Sequence, residues 1–226
     1  MTRAQLKDAA KAQIKGNIGI LFVVMLIVFV LSSLATFVLS FIPVAGTLAA
    51  TLIVTPAFLL SVTRVYLNLY AGKKPEAKDA FCGFDDFWTA AKVQILSSVY
   101  VFLWSFLFII PGIIKAFSYS QAMYIVAENK GMSARKAIDE SRKMMDGHKM
   151  EYFILSLSFI GWAILAELTF CILYIWLAPY MTATYTNYYK YVSGLAHKAD
   201  AVEAPAAVEA PAPAEEAPAE EAPAAE

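Results

Sequence analysis

Hydrophobic residues along this chain come in long unbroken blocks, separated by short polar stretches, rather than in alternation. The first block, residues 18–41, opens with "IGILFVVMLIVFVL", which has neither the period of two of a half-buried strand nor the polar face of a surface helix. At a rise of about 1.5 Å per residue, a block of about 18 residues or more spans a hydrocarbon core about 30 Å thick. The pattern predicts an all-α fold, a polytopic membrane helix bundle of about six transmembrane helices over residues 18–41, 47–70, 93–110, 113–127, 152–166 and 168–189. The fourth and fifth are short for a full crossing and need either their flanks or a locally thinner bilayer. A transmembrane barrel does not fit, because its strands of about ten residues alternate apolar with polar positions.

Composition moves the reading away from water as the main solvent. Of 226 residues, 59% are hydrophobic and 16% charged, with a mean hydropathy of +0.57, whereas soluble domains carry about 25% charged residues. Arg3, Lys7, Lys11 and Lys15 ahead of the first block imitate a secretory signal, but the apolar part is too long for a cleaved one and a retained helix is predicted. Charge then sets orientation. Those four residues precede span one, Lys73, Lys74, Lys78 and Lys92 lie between spans two and three, and Lys130, Arg135, Lys136, Arg142, Lys143 and Lys149 lie between four and five. Lys190 and Lys198 follow span six, while the alternate connections, "PVAG", "PG" and the turn near Glu167, carry no Lys or Arg. Basic loops stay on the cytoplasmic side, so both termini are predicted to be cytoplasmic.

Two cations depart from this pattern. Arg64 is six residues from the inner end of span two, about 9 Å of helix, a distance its side chain largely bridges by snorkelling inward. Lys115, near the outer end of span four, is predicted to snorkel outward, where Glu167 is placed to pair with it. The alternative for each is a buried functional charge.

The loops have structure of their own. "SARKAIDESRKMMDG" predicts a helix over 133–146, with Ser133 as N-cap and Gly147 just past its end. Ala134, Ala137, Ile138, Ser141, Met144 and Met145 share one face, for docking under the bundle, and Arg135, Lys136, Arg142 and Lys143 form a basic surface for the anionic inner leaflet. "FDDFWTAAK" reads as a second interfacial element, with Asp85 and Asp86 solvated. The domain organisation is an N-terminal cytoplasmic segment with an interfacial helix (1–17), a transmembrane domain (18–195) and a disordered, Ala/Pro/Glu-rich cytoplasmic tail (196–226).

The even-numbered spans share a weak repeat. Each carries a proline (Pro56, Pro111, Pro179) and then hydroxyl and tyrosine groups, with Tyr70, Tyr124 and Tyr191 lying 14, 13 and 12 residues further on. Three helical hairpins follow from this, each joining an outgoing span to a more polar returning one. Pro111 lacks an N–H and Gly112 is a poor helix former, so the chain is predicted to reverse there. Beyond the break, Ser118, Gln121 and Ala122 form a stripe, flanked by Tyr119, that should face protein, with hydroxyls bonding across helices. Ser32, Thr36 and Ser40 form a similar stripe, as do Thr182 and Thr186 near Tyr185.

Catalytic chemistry finds little support. His148 and His197 lie apart from any ligand spacing, and no phosphate loop, nucleophile elbow or Cys-x-x-Cys occurs. Cys82 and Cys171 should sit at different membrane levels, which disfavours a disulfide. No enzyme activity, cofactor, metal or nucleic-acid partner is predicted. The partners implied are membrane lipids of the anionic inner leaflet, a membrane protein or a second copy of the chain. The residues therefore read as a non-enzymatic membrane protein that binds lipid or a membrane partner through its basic face. The alternative is a small transporter or exporter with a path lined by the polar residues of the even-numbered helices.

The segments "LW" (103–104), "IIPGIIKAFSYS" (109–120), "SRKMMDGHK" (141–149), "SFIGWAIL" (158–165) and "PYMTATYTNYY" (179–189) resemble the bacterial integral membrane protein family of the domain of unknown function 975. The resemblance implies a multi-pass protein of the bacterial cytoplasmic membrane and carries no activity with it. It departs from the family at "TFCILYIW" (169–176), where glycines near Phe170 and Ile172 are expected. More distantly, the Pro-Gly hairpin and its loop helix are similar to the membrane domain of some glycerophosphodiester phosphodiesterases.

Overall fold

In the computed structural model, which describes residues 2–42, 45–169 and 172–203, every regular element is helical. The first helix, α1 (Arg3–Ile14), starts at a reciprocal cap. The Thr2 hydroxyl accepts from the Gln5 N–H while Gln5 Oε1 accepts from the Thr2 N–H, so two of the otherwise orphaned donors at the helix start are satisfied. Its Leu6, Ala10 and Ile14, four residues apart, form a buried stripe against α10 (Tyr174–Glu203). The N-terminal segment is therefore docked onto protein.

Among the described residues, three helices are long and apolar enough to cross a membrane: Ile18–Ser40, Ala50–Tyr70 and Lys149–Leu168. The first of these, α2 (Ile18–Ser40), buries only Leu21 and Val24 and exposes Phe29, Leu34 and Phe37. The second predicted span is built from α3 (Ala45–Ala49), a π-helical turn (Ala50–Val54) and α4 (Thr55–Tyr70). Pro56 explains the wide turn. Its missing N–H removes a helical donor, and widening lets the Thr55 N–H and hydroxyl both reach the Ala50 carbonyl, the hydroxyl at 3.0 Å. Most of α4 is buried, because it lies between two apolar clusters. One joins it to α1, α2, α10 and α9 (Lys149–Leu168), the other to α5 (Phe87–Leu107), α7 (Ala122–Glu128) and α8 (Ala134–Met144).

The reversal predicted at Pro111–Gly112 occurs three residues earlier. Phe108 is extended (φ −156°, ψ 139°) between α5 and α6 (Ile109–Tyr119), and Pro111 sits in the first turn of α6, where an N–H has no helical partner to lose. Gly112 has a different task. A Cβ there would lie 2.0 Å from Ser105 Oγ and 2.8 Å from Ser105 Cα, so its absence lets α6 close onto α5.

The fourth predicted span, 113–127, is not one helix. It breaks at Ser120 and Gln121 into α6 and α7, and the 11 residues of α6 cover about 16 Å, half of a hydrocarbon core. The loop helix α8 forms where the sequence places it, with Ser133 Oγ accepting from the Lys136 N–H and Gly147 (φ +76°) past its end. Its buried residues Ala134, Ala137, Ile138 and Ser141 dock against α5, α6 and α7. Helix α10 runs through Pro179 as far as Glu203, into the segment read from composition as tail. Cys171 and the acidic residues beyond 203 lie outside the described residues, so the disulfide and tail expectations fall there too.

Candidate functional site

The C-terminal end of α4, the start of α5, the end of α7 and the middle of α10 converge at one end of the molecule, and most of its polar chemistry is there. Arg64 is the centre of the first group. Its side chain is 7% exposed and does not snorkel. One guanidinium nitrogen pairs with Asp86, a second donates to the Cys82 carbonyl, and Nε donates to the Ala127 carbonyl at 3.4 Å. Arg64 thus ties α4 to α7 and to the loop before α5. Gly83 makes this reachable, since its N–H donates to Ser61 Oγ at 2.9 Å and a Cβ there would lie 2.3 Å from the Ala57 carbonyl oxygen. Asp86, read as solvated, is the half-buried counter-ion instead. Burial also pushes the Cys82 thiol above its ordinary range, against the pull of the nearby Arg64 charge.

Beside this staple, Glu128 accepts from the Tyr189 hydroxyl at 2.6 Å and from Lys190, while Lys130 and Asp85 meet at 3.6 Å. Tyr124 stacks on Tyr189 with ring centroids 5.1 Å apart. Arg64, Cys82, Glu128, Lys130 and Lys190 border a cavity of about 560 Å³. Its cations Arg64, Lys130 and Lys190 each face a carboxylate.

A second group forms at the break between α6 and α7. Ser141, on α8, accepts from the Gln121 N–H at 3.2 Å and donates to the Ser118 carbonyl at 2.8 Å. One hydroxyl therefore satisfies two of the backbone groups that the interrupted helix leaves free. Ser118, Gln121 and Ala122 are buried, as their stripe predicts. Their hydroxyls and those of the other stripes bond mainly within their own helices, and Thr186 also bonds the Tyr124 side chain of α7. Ser118 donates to Ile114, Ser32 to Phe29, Thr36 to Ser32, Ser40 to Phe37, Thr182 to Ala178 and Thr186 to Thr182, all within their own helix. A helical hydroxyl reaches a carbonyl three or four residues back without any neighbour, and that local bond wins.

Lys115 is placed differently from its prediction. It sits at the middle of the short α6, with its ammonium 4.9 Å from the centre of the Trp104 ring, and it lines a cavity of about 320 Å³ with Arg142, Lys143, Asp146 and Lys149. It thus faces the α8 end of the molecule, because α6 stops after 11 residues and lets α8 approach. Lys149 bonds Asp146 at 3.1 Å and holds that carboxyl below its ordinary range. Arg135 and Lys136 are exposed at the other end of α8, where Lys136 lies 3.9 Å from Glu140. Glu167 is exposed in the last turn of α9, Tyr119 packs on Tyr100 at 5.9 Å, and Tyr185 packs on Tyr152 at 5.6 Å. Pro179 is inside α10, opposite Phe22 and Met25 of α2.

The residues that sequence reasoning missed are partners rather than centres: Asp86, Ser141, Glu128, Lys149 and Trp104. Only Ser141 carried a usable signal, as a hydroxyl on the apolar face of α8.

The sequence matches the family described as Protein of unknown function (DUF975) over residues 1–118 and 107–196. The chain belongs to that family. The match ends where the Ala/Pro/Glu-rich segment begins, and the family's description names no activity. No curated protein and no solved structure matches the chain, so the distant similarity to glycerophosphodiester phosphodiesterase membrane domains gains no support.

Proposed function

We propose that this protein is a six-pass, non-enzymatic component of the bacterial cytoplasmic membrane, with both termini inside, that binds the anionic inner leaflet through its basic end. The observation that carries the reading is the segregation of surface chemistry. Large apolar side chains such as Phe29, Phe37, Phe102, Phe106 and Leu168 stand exposed on the flanks of α2, α5 and α9, where only lipid solvates them well. The cationic residues of α8 and its flanks are exposed at the end where α1 and the loop before α5 also dock. Basic segments next to a membrane gain about 1 kcal/mol per Lys or Arg from anionic lipid.

The buried polar groups support a binding protein over a carrier. Ser61, Thr184 and Thr186 are buried and bonded to carbonyls of their own helices, and Arg64 is held by three partners. A charge that must meet a substrate needs free donors.

The test compares thermal unfolding of the full chain in phosphatidylcholine bilayers with and without phosphatidylglycerol. The expected result is stabilisation by the anionic lipid that shrinks as salt is raised, since screening shortens the reach of exposed charges. Equal stability in both bilayers would count against the reading.

A further inference from the structure

We infer that the cavity between α6, α8 and the start of α9 holds the phosphate of an anionic phospholipid headgroup, with the acyl chains lying along the exposed isoleucine face of α6. This rests on the membrane reading above and assigns it a site.

Three separate elements each deliver cations to the one cavity of about 320 Å³: Lys115 from α6, Arg142 and Lys143 from α8, and Lys149 from α9. One carboxylate, Asp146, lines it with them and is already bonded to Lys149 at 3.1 Å. A solvated charge run does not produce this, because its members come from one segment and point apart. Four like charges around a shared space repel, and an anion entering that space reverses the sign of the interaction. Arg142 brings a planar fork suited to two phosphate oxygens, and the ammonium groups act as point charges beside it. Its carboxylate neighbour Asp139 is 3.9 Å away with both side chains more than half exposed, a contact too weak to hold it from an anion.

Lys115 is the most informative member. A cation in the middle of "IIPGIIKAFSY" is costly at membrane depth unless something compensates it. The Trp104 ring under its ammonium supplies part of that compensation and fixes its position. The phosphate supplies the rest.

The apolar surroundings select a lipid over a free anion. Ile114 lines the cavity itself, and Ile110, Ile113 and Ile114 are 72%, 48% and 46% exposed. An apolar strip leading straight into a cationic pocket matches the two parts of a phospholipid.

Native mass spectrometry of the full chain, released from phosphatidylcholine bilayers containing phosphatidylglycerol, counts the phosphatidylglycerol that stays bound. The pocket variant replaces Lys115, Arg142 and Lys149 together by Gln, and the control replaces Lys73 and Lys74, exposed in the loop after α4 and outside the pocket, by Gln. Thermal unfolding in phosphatidylcholine alone checks that both are folded. If the triple variant misfolds, Lys115→Gln alone carries the test. We expect retention to fall about fivefold per charge removed from the pocket and to hold in the control. Wild-type-like retention by a folded pocket variant overturns the site. So does an equal fall in both variants, which marks a diffuse basic face and leaves the broader reading standing. Absence of any preference for phosphatidylglycerol in the unaltered chain overturns both. In a second arm, inorganic phosphate is added to protein in phosphatidylcholine alone. Stabilisation equal to that given by phosphatidylglycerol assigns the pocket to a soluble phosphate and overturns the lipid.

Discussion

Arg64 concentrates the electrostatic risk of the interior in one side chain. It is buried, and its fork is divided among a carboxylate and two carbonyls on three segments. Removing one partner of a buried pair leaves an uncompensated charge, which costs about 3–5 kcal/mol. Arg64→Ala or Asp86→Ala is expected to lower unfolding stability by that amount in a reconstituted sample. Arg64→Lys should rescue little, because one ammonium does not span three acceptors. A folded Asp86→Ala protein of unchanged stability would show that the pair is idle. Cys82, beside the staple, makes a second prediction at this scale. Its thiol also donates to the Ser61 carbonyl at 3.7 Å, and its ionisation is shifted upward by burial. In a Cys171→Ala background, thiol alkylation at neutral pH should therefore run slower than for free cysteine. The rate should begin to rise only at a more alkaline pH, since the thiolate is the reactive form. A rate equal to that of free cysteine at neutral pH contradicts the burial of this loop.

Among the elements, the junction of α6 and α7 depends on a residue from a third helix. Ser141→Ala is expected to cost about 1–3 kcal/mol for each of the two backbone groups it strands, the Gln121 N–H and the Ser118 carbonyl, measured by unfolding in mild detergent. Ser141→Thr, which keeps the hydroxyl, separates this bond from packing. An unchanged Ser141→Ala protein would mean the break is held elsewhere. The same junction explains what the chain's pattern could and could not disclose. Helix α8 was legible to its cap, because Ser133, the apolar face and Gly147 are local signals. The end of α6 was not, because no proline or glycine marks Ser120–Gln121 and the deciding partner lies 20 residues away. That miss also misplaced Lys115, whose direction depends on where α6 stops. Pro111 misled in the opposite sense, since the first turn of a helix tolerates proline and the chain turns at Phe108.

For the whole molecule, α4 is the organising element, buried between one cluster with α1, α2, α9 and α10 and another with α5, α7 and α8. Hydropathy disclosed the helical class and the long apolar segments, since blocks of that length answer to few other folds. It did not disclose that α4 is central, because burial against protein and burial in lipid demand similar residues. Charge placement predicts orientation in the same way, through residues rather than contacts. The basic connections alternate along the sequence with connections that carry no Lys or Arg, which under the proposed topology puts every Lys- and Arg-bearing loop on one face of the bilayer. The most direct test is therefore impermeant thiol labelling of Lys74→Cys and Lys136→Cys proteins, in a background lacking Cys82 and Cys171, on intact cells and on inverted vesicles. Both positions are expected to react only in inverted vesicles, and reaction of the two from opposite faces would contradict the account.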